Sequence, residues 1–313
     1  MSVLLKNAIP NKYCIIISTL LVMLLSACGG GGGSDNSVPP SAPPPAPTPT
    51  SPCGNFASSD QCIGIQVGNL PERSFVFHEP TNRMALAPIV IYMHGGGDSP
   101  ETISDYVDAI RFSDEMGFLA VLPVAAPDNN QGWTWSSNIN SGISLSEDTE
   151  LVSAIIDKLV ADNNADPDRV YVVGFSAGAI MGYQLACQMS DKIKSFLSLA
   201  GSMRGDVSSC IPPFPVAVHH IHGTNDSNIP INGGTGANPV TLVISHWANE
   251  VNGCNGTTSN SEAFSLTVDS NDAVTTTYSE CQKSLMFTRV AAGDHFQQFD
   301  INNLHQLMED LFQ

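Results

Sequence analysis

Charge is scarce in this chain, and positive charge is the scarcer kind. Only 13 % of the 313 residues are charged, with 12 Lys and Arg against 30 Asp and Glu, for a formal net charge of −18. About 25 % is usual. So few cations exclude a nucleic-acid partner, because phosphate binding depends on Lys and Arg releasing counterions. The same lack excludes docking on anionic lipid through a basic face. No CxxC or Cys/His pair stands at metal-ligand spacing, so neither a metal nor any other cofactor is expected. The longest apolar run, Tyr13 to Leu25, falls short of the ~20 residues of a membrane span. No internal repeat is visible.

Hydrophobic residues nevertheless reach 42 %, enough to exclude disorder of the whole chain. Lys6 and Lys12 precede the Tyr13–Leu25 run, and Leu25-Ser26-Ala27-Cys28 follows it. That order predicts a signal peptide over 1–27 and resembles a bacterial lipobox with Cys28 as the lipidated residue. An ordinary cleaved signal with an incidental cysteine is the alternative. Removing Lys6 and Lys12 takes the charge from −18 to −20. Residues 29–52 hold five consecutive glycines and then a Pro-rich stretch, which reads as a swivel and a polyproline spacer. Residues 53–313 are then one domain. Gly29 after Cys28 fits sorting to the outer membrane or cell surface, with release from the cell as a further route. The membrane is a partner only through this anchor, and a monomer is expected.

Beyond Cys14 and Cys28 six cysteines remain, an even number that suggests three disulfides in an exported domain. Fifteen connectivities are open, and sequence proximity favours Cys53–Cys62, Cys187–Cys210 and Cys254–Cys281.

Strands are expected at 87–93, 118–123, 169–173, 195–200 and 216–222. Helices are expected at 100–116, 148–162, 177–189, 240–251 and 299–312. In 148–162, Leu151, Ile155 and Leu159 fall on one stripe beside Val152, Ile156 and Val160, the spacing of an amphipathic helix. Strands alternating with helices predict an α/β fold with a mostly parallel sheet covered on both faces. Functional groups then belong on loops at the C-terminal ends of the strands.

One such loop is Gly174-Phe175-Ser176-Ala177-Gly178, between a strand and a helix. Gly-x-Ser-x-Gly in this context predicts Ser176 as a nucleophile on a sharp turn, with a helix N-terminus favouring negative charge beside it. The rival is a structural serine in a tight turn. A serine needs a base, and this architecture orders its partners Ser, acid, His. Asp226 follows the strand Val216–His222 and is the expected acid, unless it merely forms an Asx turn. His295 lies in a loop before the last helix and is the expected base, with Asp294 the rival acid. Backbone N–H groups of Gly96, Gly97 and Ala177 are the candidate oxyanion donors. His94 is expected to orient its loop, His219 and His220 to pack or bond at a strand end, and His222 to position the loop of Asp226. His305 belongs to the surface or core of the last helix. Trp133 and Trp135, two of only 3 tryptophans, are expected to wall the substrate, or else to plug the core.

Together Tyr92-Met-His-Gly-Gly-Gly97, Gly132-Trp-Thr-Trp135, Asp166 through Gly178, His220-Ile-His-Gly-Thr-Asn-Asp226 with Ile229-Pro230, and Trp247 through Cys254 resemble exported esterases. The family is the α/β-hydrolase group of polyhydroxybutyrate depolymerases and feruloyl or acetylxylan esterases. The resemblance covers about residues 64–298 and implies Ser176, Asp226 and His295 as a triad and the 187–210 and 254–281 pairings. It implies an esterase working through an acyl-enzyme on polyhydroxyalkanoate-oligomer, feruloyl or acetyl esters. A departure is Gly293-Asp-His-Phe-Gln, where the family often carries Gly-Gly-His-x-Trp-Pro. Soluble or oligomeric esters are expected rather than crystalline polymer. Rival readings are a serine peptidase on the same fold and a non-catalytic, surface-binding lipoprotein.

Overall fold

The computed structural model describes residues 53–127, 133–136, 146–268 and 273–313. The expected signal peptide, Cys28 and the spacer lie outside them. Within them a sheet of ten strands runs in the order β1-β2-β4-β3-β7-β8-β9-β12-β11-β10. The six central strands are parallel: β4 (Leu119–Pro123), β3 (Ala87–Met93), β7 (Ala165–Phe175), β8 (Ile193–Leu199), β9 (Ala217–Gly223) and β12 (Leu285–Val290). All of β3, β4 and β9 is buried, as helices on both faces of a parallel sheet require. Antiparallel strands extend each edge, β1 (Gln61–Ile65) and β2 (Arg73–His78) on one, β11 (Ala273–Tyr278) and β10 (Thr258–Asn260) on the other. A separate ribbon pairs β5 (Ala126–Pro127) with β6 (Trp133–Thr134).

The sheet divides the core into two layers. On one face α3 (Glu147–Asn163), α4 (Ala177–Gln188) and α5 (Val240–His246) bring Leu151, Ile155, Met181, Tyr183 and Val243 onto the strands. On the other, α1 (Pro100–Val107), α2 (Ala109–Met116) and α6 (Ile301–Leu311) bring Val107, Phe112, Leu304 and Met308. Ser146 caps α3 by accepting the Thr149 N–H, and Glu147, Asp148 and Glu150 complement the helix dipole in the first turn. The helix expected over 100–116 is two helices. Asp108 adopts φ 50°, ends α1 and ties its carboxylate to Arg111 of α2 at 2.5 Å. That bend turns the buried Phe112 into the layer beneath α6, where it meets His305 at 5.0 Å.

Cysteines pair as 53–62, 187–210 and 254–281. Three disulfides mark an exported, extracellular protein. No helix among the described residues is long and apolar enough to cross a membrane.

Candidate active site

Four loops converge at the C-terminal ends of parallel strands: 94–99 after β3, Ser176 after β7, 224–229 after β9 and 291–296 after β12. The chain leaves β3 for β4 on one side and later returns to β7 on the other, the reversal that opens a crevice in such sheets.

Ser176 sits at φ 53°, ψ −118°, outside the conformations an L-residue prefers. The surroundings over-determine that strain. A Cβ on Gly178 would lie 2.0 Å from the Met93 carbonyl oxygen, and one on Gly174 would lie 2.5 Å from the Gly178 carbonyl. Only glycine at both lets the turn close between β7 and α4. The serine side chain is thereby pushed out toward the adjoining loops.

There Ser176 Oγ lies 2.9 Å from His295 Nε2, and His295 Nδ1 lies 2.7 Å from Asp226 Oδ2. The other Asp226 oxygen accepts the N–H groups of Asn228 and Ile229 at 2.9 and 2.8 Å. Burial alone would raise the Asp226 carboxyl, but bonds from His222, His295 and the Ile229 N–H outweigh it and hold the group well below the usual carboxylate range. A carboxylate only accepts, so His295 carries its proton on Nδ1 and leaves Nε2 free to accept from Ser176. Asp226 and His295 are both buried, whereas the rival acid Asp294 is exposed.

Ala177 contributes the first N–H of α4, which has no carbonyl to bond within the helix. A Cβ on Gly96 would meet that of Ala177 at 3.5 Å, so the two candidate donors are neighbours. Gly97 follows at φ 79° with open space around it. His94 braces this loop from beneath. Its Nδ1–H donates to the Gly95 carbonyl at 2.8 Å, and its Nε2 accepts the Ala125 N–H at 3.2 Å. Burial pushes this imidazole down to about 4, against the opposing pull of the Gly95 carbonyl, so it is neutral at pH 7. Asp98 closes the loop, its half-buried carboxyl pushed up by burial and pulled down by His295.

Trp135 corrects an expectation. It is only 4 % exposed, its indole N–H donates to the His94 carbonyl at 2.8 Å, and its ring lies 4.8 Å from that of His94. It plugs the core under the 94–97 loop instead of facing substrate. The Trp133 side chain lies outside the described residues. Among the described residues, Phe296 opens beside the site, 60 % exposed, with its ring 5.0 Å from His295 and 5.4 Å from Phe175. Its adjacency to the candidate base is the one sequence signal for it, weaker than the rarity of tryptophan. His219 bonds Thr288 at 2.7 Å and His305 donates to the Val107 carbonyl at 2.8 Å, both away from the site. No cluster of three or more potential metal ligands occurs among the described residues.

Several comparisons bear on this arrangement. The bifunctional acetylxylan esterase/xylanase of Neocallimastix patriciarum is 30 % identical over 154 residues, which is 49 % of this chain and 21 % of that protein. The chain therefore spans about a fifth of that relative. The probable feruloyl esterase C of Aspergillus oryzae is 26 % identical over 242 residues, 76 % of this chain and 82 % of that one. The structure of an acetyl xylan esterase from Aspergillus awamori superposes with a TM-score of 0.64 at 15 % identity, over 81 % of this chain and 98 % of that one, a likeness of fold. The sequence model of the Phospholipase/Carboxylesterase family matches residues 80–261. With its sheet, its Gly-x-Ser-x-Gly turn and that match, the chain belongs to the Phospholipase/Carboxylesterase family and has the α/β-hydrolase fold.

Proposed function

We propose that this protein is a serine carboxylesterase, with Ser176 as nucleophile, His295 as base and Asp226 as the acid that orients it. The observation that carries the reading is the unbroken line Ser176 Oγ, His295 Nε2/Nδ1, Asp226 Oδ2, with steps of 2.9 and 2.7 Å. Ser176 attacks the ester carbonyl while His295 takes its proton, and the tetrahedral oxygen is held by the N–H groups of Ala177 and Gly96. His295 returns the proton to the departing alcohol. Water then repeats the sequence on the acyl-enzyme and frees the acid.

Relatives named for feruloyl and acetylxylan ester cleavage support feruloyl or acetyl esters as substrates, and polyhydroxyalkanoate oligomers fit the same chemistry. The exposed ring of Phe296 suits a planar or apolar portion of the substrate. The decisive experiment compares wild type with Ser176→Ala on a short p-nitrophenyl ester. Loss of about 10⁴-fold or more in kcat supports the reading, and wild-type hydrolysis by the variant refutes it. The same enzyme is proposed to be exported with a lipid on Cys28. Cys28→Ala then moves it from the membrane to the soluble fraction, and no change in fractionation refutes the anchor.

A further inference from the structure

Beyond Asp226 the hydrogen-bonded line does not stop. His222 Nε2 lies 2.8 Å from the Ile229 carbonyl and 3.3 Å from Asp226 Oδ2. His222 Nδ1 lies 3.0 Å from His220 Nε2, and His220 Nδ1 lies 2.7 Å from the Tyr183 hydroxyl. The two imidazoles stack with an interplanar angle of 3° and centroids 5.2 Å apart. All three side chains are fully buried. Two-residue periodicity puts His220 and His222 on the same face of β9, toward α4, and His219 on the other.

With His222 carrying a single hydrogen, one carbonyl sets the polarity of the whole line. The Ile229 oxygen can only accept, so His222 carries hydrogen on Nε2 and, when neutral, offers Nδ1 as an acceptor. His220 then carries its hydrogen on Nε2 and offers Nδ1, and Tyr183 must donate its O–H there. Burial holds the Tyr183 phenol protonated and drives the His220 imidazole well below its ordinary range, so both are in the form this order needs. Every donor points toward Asp226. Tyr183 stands on α4, about two turns beyond the nucleophile turn. The line therefore closes a ring from Ser176 through His295, Asp226, His222, His220 and Tyr183 back to the helix that begins at Ser176.

We infer that Tyr183, His220 and His222 are positioning residues for the candidate triad, a donor line that fixes the Asp226 carboxylate against His295 and couples the acid loop to the nucleophile's helix. This inference rests on the triad reading above. None of the three touches substrate. They act through Asp226, whose Oδ2 is shared by the N–H groups of His222 and His295.

The test pairs Tyr183→Phe with His219→Leu, which disturbs a buried histidine of the same strand outside the line, bonded to Thr288. Steady-state rates on a p-nitrophenyl ester are read with thermal melts and the downfield proton resonance of His295 Nδ1–H. In Tyr183→Phe, kcat is expected to fall about three- to tenfold, the equilibrium worth of one neutral hydrogen bond, with KM unchanged and the His295 resonance shifted. His219→Leu should melt earlier yet keep kcat and the resonance. A folded Tyr183→Phe enzyme with wild-type kcat and resonance overturns the inference. If that variant does not fold, imidazole nitrogen shifts of the wild-type protein decide. They should show His220 and His222 neutral with hydrogen on Nε2, and an imidazolium or an Nδ1–H form of His222 overturns the line. Failure of the triad itself would appear separately, as an active Ser176→Ala enzyme.

Discussion

Replacing Asp226 with Asn tests the site through its tautomers and leaves its shape nearly unchanged. One Asp226 oxygen accepts two backbone N–H groups, at 2.9 and 2.8 Å, and only the amide oxygen of an asparagine can take that place. The NH₂ then falls where Oδ2 now meets His295 Nδ1 at 2.7 Å. An amide NH₂ only donates, so His295 must turn Nδ1 into an acceptor and carry its proton on Nε2. That proton faces Ser176 Oγ at 2.9 Å, and the base can no longer take the hydroxyl hydrogen. The expected loss is about 10⁴-fold in kcat, equivalent to ~5.5 kcal/mol of barrier. KM should stay within about threefold, since no group that holds the ground-state ester is removed. Losing bonds to a charged acceptor costs ~2–3 kcal/mol of stability, a fall of several degrees in Tm. The assay is initial rate against concentration of a short p-nitrophenyl ester, with circular dichroism to establish folding. An Asp226→Asn enzyme that folds and keeps more than about a tenth of the wild-type kcat refutes the tautomer argument.

Gly178→Ala places a Cβ 2.0 Å from the Met93 carbonyl and forces α4 off β3, with an expected loss of about 3 kcal/mol or more and of activity with it. A soluble variant with unchanged Tm would contradict the close-approach argument. Trp135→Phe strands the buried His94 carbonyl and loosens the 94–97 loop, so kcat should fall about tenfold with KM steady. A raised KM at unchanged kcat would mean that the indole meets substrate after all. Burial pushes His94 and His219 down to about 4, so below ~6.5 the unfolded chain takes up protons that the folded chain refuses. Stability is therefore full above ~6.5, declines by up to about 3 kcal/mol per histidine as pH drops toward 4, and levels off beneath. Urea unfolding between those limits should show a shallower slope for His219→Leu than for wild type, and equal slopes would refute the assignment.

Five of the six parallel strands were legible because burial on both faces leaves a continuous apolar word such as Ala87–Met93, and the Gly-x-Ser-x-Gly turn because its signal is local, whereas the parallel strand β12 was not. The edges were not. In β11 the run Ala-Val-Thr-Thr-Thr-Tyr is only partly buried, and its pairing with β10 and β12 depends on residues distant in sequence. Apolar spacing carries across Asp108 and predicts one helix over 100–116, whereas the left-handed backbone there goes with the Arg111 pairing and the packing of Phe112. Asp226 and His295 could be ranked by chain order and strand ends, and the structure brings both to Ser176. Sequence places Trp135 near the site but does not tell which way its ring turns, and of the two roles it leaves open the structure shows the core plug. In the Tyr183–His220–His222 line the alternation along β9 hints that the two histidines share a face, but the link to Tyr183 of α4 joins residues 37 apart and leaves no local trace.

The charge that was scarce in the sequence is also spent locally. Of the ten Lys and Arg beyond Cys28, Arg73, Arg83, Arg111, Lys158, Arg169, Lys192 and Lys194 all pair with carboxylates. Arg289 lies over the Phe287 ring, 5.7 Å from its centroid. Little positive surface is left to recruit an anion, and the net charge of −18 is a property of the surface as a whole. A neutral ester is indifferent to such a field, whereas the carboxylate released by its hydrolysis is repelled by it. The one cationic moment the proposed chemistry needs is the His295 imidazolium that forms as Ser176 attacks. It forms against Asp226, a carboxylate held ionised by bonds from His222 and the Ile229 backbone. Selective placement of a few donors around that carboxylate thus does what the sparse cations of the surface do not.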